Sequence, residues 1–265
     1  MYSPSRLFLK YLRYYINSSN SRGHGTHSPF VFDFIKKILN DRKDYPAYKI
    51  IEAERKLLLS DETLLNVKDF GAGSGHSKTN SRKVSEIAKH SLKPKKYATL
   101  LFRMVSYFKP DTIVELGTSL GTTTAYLALS QPSAKVLTFE GADEIAARAK
   151  VLFEKLGIRN ISQLNGNFDD TIVPAMKRAG KADFVFIDGN HRYEPTVNYL
   201  HRLLPVIHEY TVVVMDDIHW SEEMEKAWEY CRSHPAVTMS IDLFFVGILF
   251  FRKEFRVPQR FSIRF

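Results

Sequence analysis

The chain has 265 residues, of which 44% are hydrophobic and 25% charged, and its net charge is +9. These values are typical of an ordinary soluble globular protein with one large domain or two small ones. A single cysteine, Cys231, excludes an intrachain disulfide and fits a reducing cytoplasm. No apolar run approaches the roughly 18 residues of a membrane span, and Lys10 and Arg13 interrupt the apolar start, so we expect a cytoplasmic protein without a secretory signal.

The charge is unevenly distributed along the chain. Residues 1–110 contain 21 Lys and Arg against 9 Asp and Glu, a balance of +12, whereas residues 111–265 contain 17 against 20, a balance of −3. A basic first half favours anionic partners such as a phosphorylated substrate, nucleic acid or an anionic lipid surface. The simpler interpretation is a solvated basic surface, and it is the one we favour.

The chain up to about residue 109 is predicted to be mostly helical, which gives a basic N-terminal extension over residues 1–109. An amphipathic helix is expected at 5–17, and a second helix opens with Ser28 as N-cap and Pro29 in its first turn. Three further helices are predicted at 48–60, 81–91 and 95–108. A glycine-rich stretch, "DFGAGSG" at 69–75, lies between them.

Residues 110–265 alternate between apolar runs and helical patterns. The strands of this second domain are predicted at 112–117, 135–141, 161–166, 182–189 and 211–217, with two more within 236–254. Continuous apolar runs indicate strands buried on both faces, so a parallel sheet covered by helices is expected. Almost no loop separates the last two strands, which therefore must be antiparallel. The fold class is α/β, a doubly wound, Rossmann-like sheet.

Two glycine stretches compete for the role of a nucleotide cradle. The second, "ELGTSLG" at 115–121, follows an apolar strand and precedes the helical "TTTAYLALS", whose N-terminal amides could face a ligand. The next strand ends in Glu140, close to the roughly 20-residue distance at which a ribose-binding carboxylate is expected. No strand ending in a carboxylate follows "DFGAGSG". Residues 115–121 are therefore the predicted cradle.

The first glycine stretch is then most simply a turn between helices. The alternative is a mobile basic flap that places Lys78, Arg82 and Lys83 near an acidic substrate group.

At this point the sequence resembles a known family. "VELGTSLGTTTAYLA", "LTFEG", "GNFDD", "FVFIDGNHRYE" and "VVVMDDIHWS" are similar, in order and spacing, to class I S-adenosylmethionine (SAM)-dependent methyltransferases. The closest likeness is to the group of catechol O-methyltransferase and bacterial sugar O-methyltransferases, over about residues 94–252. The resemblance implies a seven-stranded sheet whose last two strands form an antiparallel hairpin.

The resemblance also implies which residues bind the cofactor SAM. The cradle would surround the amino-acid end of SAM, Glu140 would hold the ribose hydroxyls, and the segment 167–169 would border the adenine. Ser119 departs from the commoner glycine at its position, a departure that the catechol-type group tolerates. The implied cofactor-binding residues are Glu115, Gly117, Thr118, Ser119, Gly121, Thr123, Glu140, Gly141, Asn167, Phe168, Asp169 and Asp188.

Carboxylates follow two strands of the predicted sheet, Asp188 after one and Asp216 and Asp217 after the next. Ligands of doubly wound sheets lie outside the carboxyl ends of the strands, and clustered carboxylates suit Mg²⁺. The metal-dependent members of the family place acidic residues at these positions. Asp188, Asp216 and Asp217 are the predicted metal ligands, although the last two could instead cap a turn.

His191 stands where catechol-type enzymes place their lysine base, so Asp188 and His191 are the predicted catalytic residues. A structural loop histidine is the alternative. Candidate acceptor-pocket residues are Tyr193, His219 and Trp220. His24 and His27 could suggest a metal pair, but two histidines without further ligands are weak evidence for one.

The leading hypothesis is a Mg²⁺-assisted O-methyltransferase for a small hydroxylated acceptor. A nucleic-acid methyltransferase is an alternative because of the basic first half. A third is a membrane-peripheral enzyme on a lipid-linked glycan, anchored by the helix at 5–17. Its apolar residues are spread too widely for one clean face, which favours a helix docked on the protein. The apolar C-terminal hairpin could also pair with another subunit in a homodimer.

Overall fold

The structure is a computed structural model that describes residues 1–19, 28–67 and 81–265. Its helices are α1 (Pro4–Asn17), α2 (Pro29–Phe34), α3 (Pro46–Leu59), α4 (Val84–Ser91), α5 (Lys95–Phe108), α6 (Thr122–Ser130), α7 (Asp143–Lys155), α8 (Phe168–Ala179), α9 (Tyr193–Leu203) and α10 (Glu222–Arg232). A π-helical turn, Ile35–Leu39, continues α2, and a 3₁₀ turn, Leu204–Val206, continues α9. Among the described residues, no helix is long and apolar enough to cross a membrane.

The strands are β1 (Leu64–Asn66), β2 (Ser81–Lys83), β3 (Thr112–Leu116), β4 (Lys135–Glu140), β5 (Ile161–Asn165), β6 (Ala182–Ile187), β7 (Ile207–Asp216), β8 (Met239–Asp242), β9 (Val246–Phe250) and β10 (Gln259–Ser262). Eight of them form one sheet in the order β10-β8-β9-β7-β6-β3-β4-β5. Strands β3, β4 and β5 pair in parallel, as do β6 and β7, while β9 is antiparallel to both β7 and β8.

The predicted fold class is confirmed, including the antiparallel hairpin of β8 and β9. One strand is added to the expected seven, since β10 pairs in parallel with β8 and extends the sheet at its edge. The sequence "QRFS" of β10 is short and mostly polar, and such a segment carries no periodic signal of its own.

The first glycine stretch has strands on both sides. β1 and β2 pair antiparallel, with Leu65 opposite Arg82, although residues 81–83 were predicted to begin a helix. The helix begins instead at Val84, because strand pairing overrides the helical pattern at its first three positions. The described residues do not include the stretch 69–75, Lys78, His24 or His27. The predictions made for them therefore stay predictions. Lys83 is within hydrogen-bonding distance of Glu62, with Nζ 2.5 Å from Oε2.

The chain divides into two compact units, residues 1–42 with 181–265, and residues 43–180. This division does not show which parts of the chain fold independently, so the predicted domains 1–109 and 110–265 stay a prediction. In the unit 43–180, a cluster around Tyr48, Phe102 and Tyr126 joins α3 and α5 to α6, and Tyr126 donates to Glu52 at 2.9 Å. Helix α6 is therefore held by the N-terminal helices of its own unit.

In the other unit, the two ends of the chain are joined. Ser19 forms a parallel bridge with Ile263, and the hydroxyl of Tyr14 in α1 donates to the carbonyl of Ile263. The amide of Arg264 donates to the carbonyl of Ser19 at 3.1 Å. Helix α1 is thus fixed beside the C-terminal segment.

We expect Gly247→Ala to lower the free energy of unfolding by about 2 kcal/mol, the usual cost of overpacking a core. Gly247 lies in β9, and a Cβ there would stand 2.6 Å from the ring of Trp228, which is buried. Urea denaturation measures the change. In a Trp228→Leu background the loss should shrink, because leucine leaves space for the methyl group; equal losses in both backgrounds would contradict the packing explanation.

Candidate functional site

The second glycine stretch forms a tight loop between β3 and α6. Gly117, Ser119 and Gly121 all have positive φ angles, of 107°, 48° and 82°. The amides of Gly117 and Thr118 both donate to the carbonyl of Phe139 at 3.0 Å, which fixes the loop at the end of β4. Glycine is needed at the first and last of these positions because other residues adopt such φ angles at a cost.

Gly121 has a second reason to be glycine. A Cβ at this position would lie 2.6 Å from the ring of Phe153 in α7, so the close approach of α6 and α7 requires its absence. Gly121 is also the N-cap of α6, and a glycine provides no side chain to accept from the first-turn amides. Those amides remain available to an anionic or polar ligand.

Thr122, the first residue of α6, is a residue that the sequence analysis missed. Its hydroxyl is buried and has no hydrogen-bond partner among the residues that the structure describes. A buried hydroxyl without a partner costs free energy, which a ligand in the cradle would recover. The run "TTT" at 122–124 was the available signal, but it does not show which hydroxyl is engaged.

Glu140 is tied to the cradle by both of its carboxylate oxygens. Oε2 accepts from the amide of Ser119 at 2.8 Å, and Oε1 accepts from the amide of Ala142 at 3.0 Å. A carboxylate offers about four lone-pair positions, so these two bonds orient the group and leave acceptor capacity. Gly141 lies between Glu140 and Ala142, where the chain bends towards α7.

Glu115 is fully buried at the penultimate position of β3. Its Oε2 accepts from the hydroxyl of Thr124 at 2.5 Å and from that of Thr138 at 2.7 Å. Hydrogen bonds to the ionised form are what make a buried carboxylate tolerable. Glu115 therefore links β3, β4 and α6, and Thr123, at the N-terminal end of the same helix, is also buried.

The segment predicted to border adenine begins α8. Asn167 is the N-cap, and its Oδ1 accepts from the amide of Asp169 at 3.0 Å. The ring of Phe168 meets that of Phe139 edge to face, with 6.4 Å between centroids. The capping of α8 thus places Phe168 beside the strand that ends in Glu140.

A second group of chemical interest lies in the other unit. Asp188 follows β6, Asp216 ends β7, and each of these residues and His191 offers a ligand atom within 4.8 Å of the others. His191 Nε2 lies 3.4 Å from Asp188 Oδ1, and Asp216 is buried. Among the described residues, these are the acidic and histidine side chains that together could hold a metal ion. We call Asp188, His191 and Asp216 the metal-ligand group.

Asp217 lies outside this group. It follows the last residue of β7 and has a φ angle of 53°, and consecutive residues along a strand point to opposite faces. The structure therefore brings together two of the three predicted metal ligands, Asp188 and Asp216, with the predicted base His191. A role of Asp217 in metal binding stays a prediction.

The loop that carries His191 is strained. Asn190 and His191 have φ angles of 65° and 37°, and such conformations in residues other than glycine concentrate at functional sites. The ring of Trp220 lies 5.7 Å from that of His191, which places it beside the metal-ligand group, and its role in an acceptor pocket stays a prediction. Tyr193 contacts the ring of Tyr230 instead, at 6.3 Å.

His219 is held between two carboxylates. Its Nδ1 lies 2.9 Å from Glu225 Oε1, and its Nε2 lies 2.9 Å from Asp242 Oδ2. Glu225 also accepts from Lys10 at 2.9 Å and from Tyr2 at 2.7 Å. This polar network joins α1, α10 and β8, and its partners are too far apart in the chain for the sequence to reveal them.

The network shifts three pKa values. Burial lowers the pKa of His219, but hydrogen bonds and charge from Asp242, and then Glu225, outweigh burial and raise it above its usual value. Burial raises the pKa of Glu225, whereas hydrogen bonds from Lys10, Tyr2 and His219 hold it below its usual value. Burial and the bond to Glu225 raise the pKa of Tyr2 to about 12.

We therefore expect His219→Gln to cost about 2 kcal/mol of unfolding free energy at pH 6, the usual value of charge-assisted hydrogen bonds, and less at pH 9. A histidine whose pKa is raised on folding stabilises fully below its unfolded pKa and loses that effect as pH rises through the folded pKa. Urea denaturation at both pH values checks this. His208→Gln, which removes a contact to the single carboxylate of Asp183, is the control. Equal losses for His219→Gln at both pH values would show that the ring is uncharged.

A protein-family model and several solved structures resemble this chain. Residues 114–218 match the family model of a methyltransferase domain. No curated protein sequence matches the chain. In the solved structures, SAH-bound PaMTH1 of Podospora anserina has 12% identity and a TM-score of 0.60, covering 85% of this chain and 97% of that one.

Two further solved structures are O-methyltransferases. The enzyme from Bacillus cereus, in complex with SAH, has 15% identity and a TM-score of 0.56, covering 83% of this chain and 97% of its own. TomG from Streptomyces achromogenes, involved in tomaymycin synthesis and in complex with SAM, has 17% identity and a TM-score of 0.55, covering 84% and 96%. Likeness at these identities establishes the fold, which is that of class I SAM-dependent O-methyltransferases.

Proposed function

We propose that this chain is a SAM-dependent methyltransferase that, with Mg²⁺, methylates an oxygen of a small hydroxylated molecule in the cytoplasm. The observation that carries the proposal is the cradle itself, a β3–loop–α6 turn with three positive φ angles and a carboxylate, Glu140, bonded to its central amide. The fold that it shares with O-methyltransferases supports the reaction class.

The residues of the cradle fit SAM in charge and polarity. The uncapped amides at the start of α6 suit the carboxylate of an amino acid, and the buried hydroxyl of Thr122 provides a further polar group. Glu140 has acceptor capacity for ribose hydroxyls, and Phe168 offers an aromatic surface near it. When bound, SAM supplies an electrophilic methyl group on sulfur.

The metal-ligand group fits a divalent cation. Asp188 and Asp216 are oxygen donors of the kind that Mg²⁺ prefers, and such an ion, when bound, would lower the pKa of the acceptor hydroxyl. His191, 3.4 Å from Asp188, would take the proton of that hydroxyl, and the carboxylate would orient its ring. The indole of Trp220, tilted against the imidazole with 5.7 Å between the ring centroids, would restrict water around it.

A nucleic-acid substrate remains the second candidate, motivated by the balance of +12 in residues 1–110. Cations of this segment are in part neutralised from outside it, since Lys10 pairs with Glu225 at 2.9 Å. Pairing weakens the field that they offer to phosphates, so we favour the small acceptor. If the protein retarded RNA in a gel-shift assay at low salt, a nucleic-acid substrate would become the favoured candidate.

The test is calorimetry of the purified chain with SAM, followed by detection of SAH formed from hydroxylated acceptors with Mg²⁺ and with EDTA. We expect micromolar SAM binding and acceptor-dependent SAH release that EDTA abolishes. Binding with EDTA-resistant turnover would contradict the metal part of the proposal. Absence of SAM binding would contradict the proposal as a whole.

A further inference from the structure

Helix α1 is docked on its unit through one face only. Tyr14 is buried, and its ring lies 5.2 Å from that of Phe244, which Tyr11 also contacts at 5.1 Å. Lys10 pairs with Glu225 at 2.9 Å, and Tyr14 donates to the carbonyl of Ile263. These contacts fix how α1 is turned about its axis, and therefore which side chains it presents to solvent.

A second face of α1 is apolar and exposed. Five large side chains on it are between 38% and 69% exposed: Phe8, Leu9, Leu12, Tyr15 and Ile16. At 3.6 residues per turn they cover a continuous sector of about 120°, which lies away from the docked face. Exposing so much apolar surface costs free energy unless something covers it. We call this sector the apolar face of α1.

Arginine side chains lie beside the apolar face of α1. Residues 1–32 contain four Lys and Arg and no Asp or Glu. Arg6 and Arg13 are exposed along one edge of the sector. Arg264 lies at the C-terminal end of the helix, with its guanidinium 4.6 Å from the ring centroid of Tyr15. An occupant of this surface must therefore be apolar and carry negative charge.

We propose that the apolar face of α1 binds the surface of an anionic phospholipid bilayer. A helix of 14 residues is about 21 Å long, too short to span a bilayer but suited to lie in its interface with the apolar face among the acyl chains. The arginines at the edge then reach the phosphate groups, as long cationic side chains do at interfaces.

A second copy of the chain is the competing occupant, and charge argues against it. A twofold dimer through this face would bring the same patch of each copy together, and with it Arg6 and Arg13 of both copies, which repel. An anionic lipid surface satisfies the apolar sector and the arginines together.

The test is flotation of the full-length chain with vesicles of phosphatidylglycerol and phosphatidylcholine, compared with phosphatidylcholine alone. We expect binding to the anionic vesicles only, weakened at high salt because surface charge is screened. The variant Phe8→Ser/Leu9→Ser/Leu12→Ser/Ile16→Ser should bind at least about tenfold more weakly, through loss of buried apolar area. Its control, Ile50→Ser/Leu57→Ser, removes exposed apolar side chains from α3 and should bind as the unchanged chain does.

A second variant tests the charge. Arg6→Gln/Arg13→Gln should weaken binding by about fivefold for each arginine lost, since one cation near an anionic surface contributes about 1 kcal/mol. No recruitment of the unchanged chain to anionic vesicles would overturn the proposal. So would a dimer in sedimentation that the four-serine variant dissociates, because a second copy would then cover the face. Neither result depends on SAM binding or turnover.

Discussion

Replacing Glu140 by alanine is expected to weaken SAM binding by about 100-fold, because two hydrogen bonds to a carboxylate contribute about 3 kcal/mol together. Glu140 stands at the end of β4 with its oxygens bonded to the amides of Ser119 and Ala142. The substitution removes the proposed acceptor for the ribose hydroxyls. It also removes the two hydrogen bonds that hold the loop in its conformation. Calorimetric titration of SAM into the purified variant measures the loss.

Two variants separate these causes. Glu140→Gln keeps one oxygen acceptor and should lose less affinity than Glu140→Ala. Asp143→Ala removes an exposed carboxylate from the first turn of α7, three residues further on, and should bind SAM as the unchanged chain does. If Glu140→Ala retained full affinity, the predicted cradle would be wrong. The segment 69–75 would then become the next place to search for the nucleotide site.

Replacing Asp216 by asparagine is expected to reduce Mg²⁺ affinity and methyl transfer by about 100-fold or more, since a Lewis acid contributes several kcal/mol to such a reaction. Asp216 is buried within 4.8 Å of Asp188 and His191. Asparagine preserves the shape of the side chain but lacks the charge. Titration with Mg²⁺ and the rate of SAH release give the two quantities, and circular dichroism confirms folding.

Asp217→Asn is the matched control, because it makes the same change at the next residue. Asp217 lies outside the metal-ligand group, so its variant should stay within a few-fold of the unchanged chain. Equal losses at both positions would show that both carboxylates bind the ion. A loss at Asp217 alone would mean that the metal site differs from the group seen in the structure. SAM affinity measured without Mg²⁺ should be the same in both variants.

Sequence patterns predicted the main sheet well because its signals are local. Each buried strand is a continuous apolar run, and each of the helices α7 to α10 shows its own apolar periodicity, so the alternation could be recognised residue by residue. The antiparallel hairpin followed from the missing loop between the last two strands, and the resemblance to methyltransferases implied the same seven-stranded arrangement. β2 and β10 escaped prediction because they are three and four residues long and largely polar. Such strands exist only because a partner strand lies beside them.

The conformation of the cradle could likewise be predicted from the sequence. Gly117 and Gly121 are needed where the backbone takes positive φ angles, and the end of the next strand places Glu140 against Ser119. These are constraints between residues close in sequence or paired in parallel strands. The geometry of the loop could therefore be predicted from the residues, whereas the methyltransferase class and the cofactor SAM were implied by the resemblance to a family.

Contacts between distant residues were decided by the tertiary structure. Whether Asp216 or Asp217 faces His191 depends on the direction in which each leaves β7, which two adjacent aspartates do not reveal. His219 is engaged by Asp242 and Glu225, contacts that the sequence did not reveal. The docked face of α1 is selected by Phe244 and Ile263, more than 200 residues away in the chain. Hydrophobic periodicity indicates that a helix has apolar faces, but only tertiary packing determines which of these faces is buried.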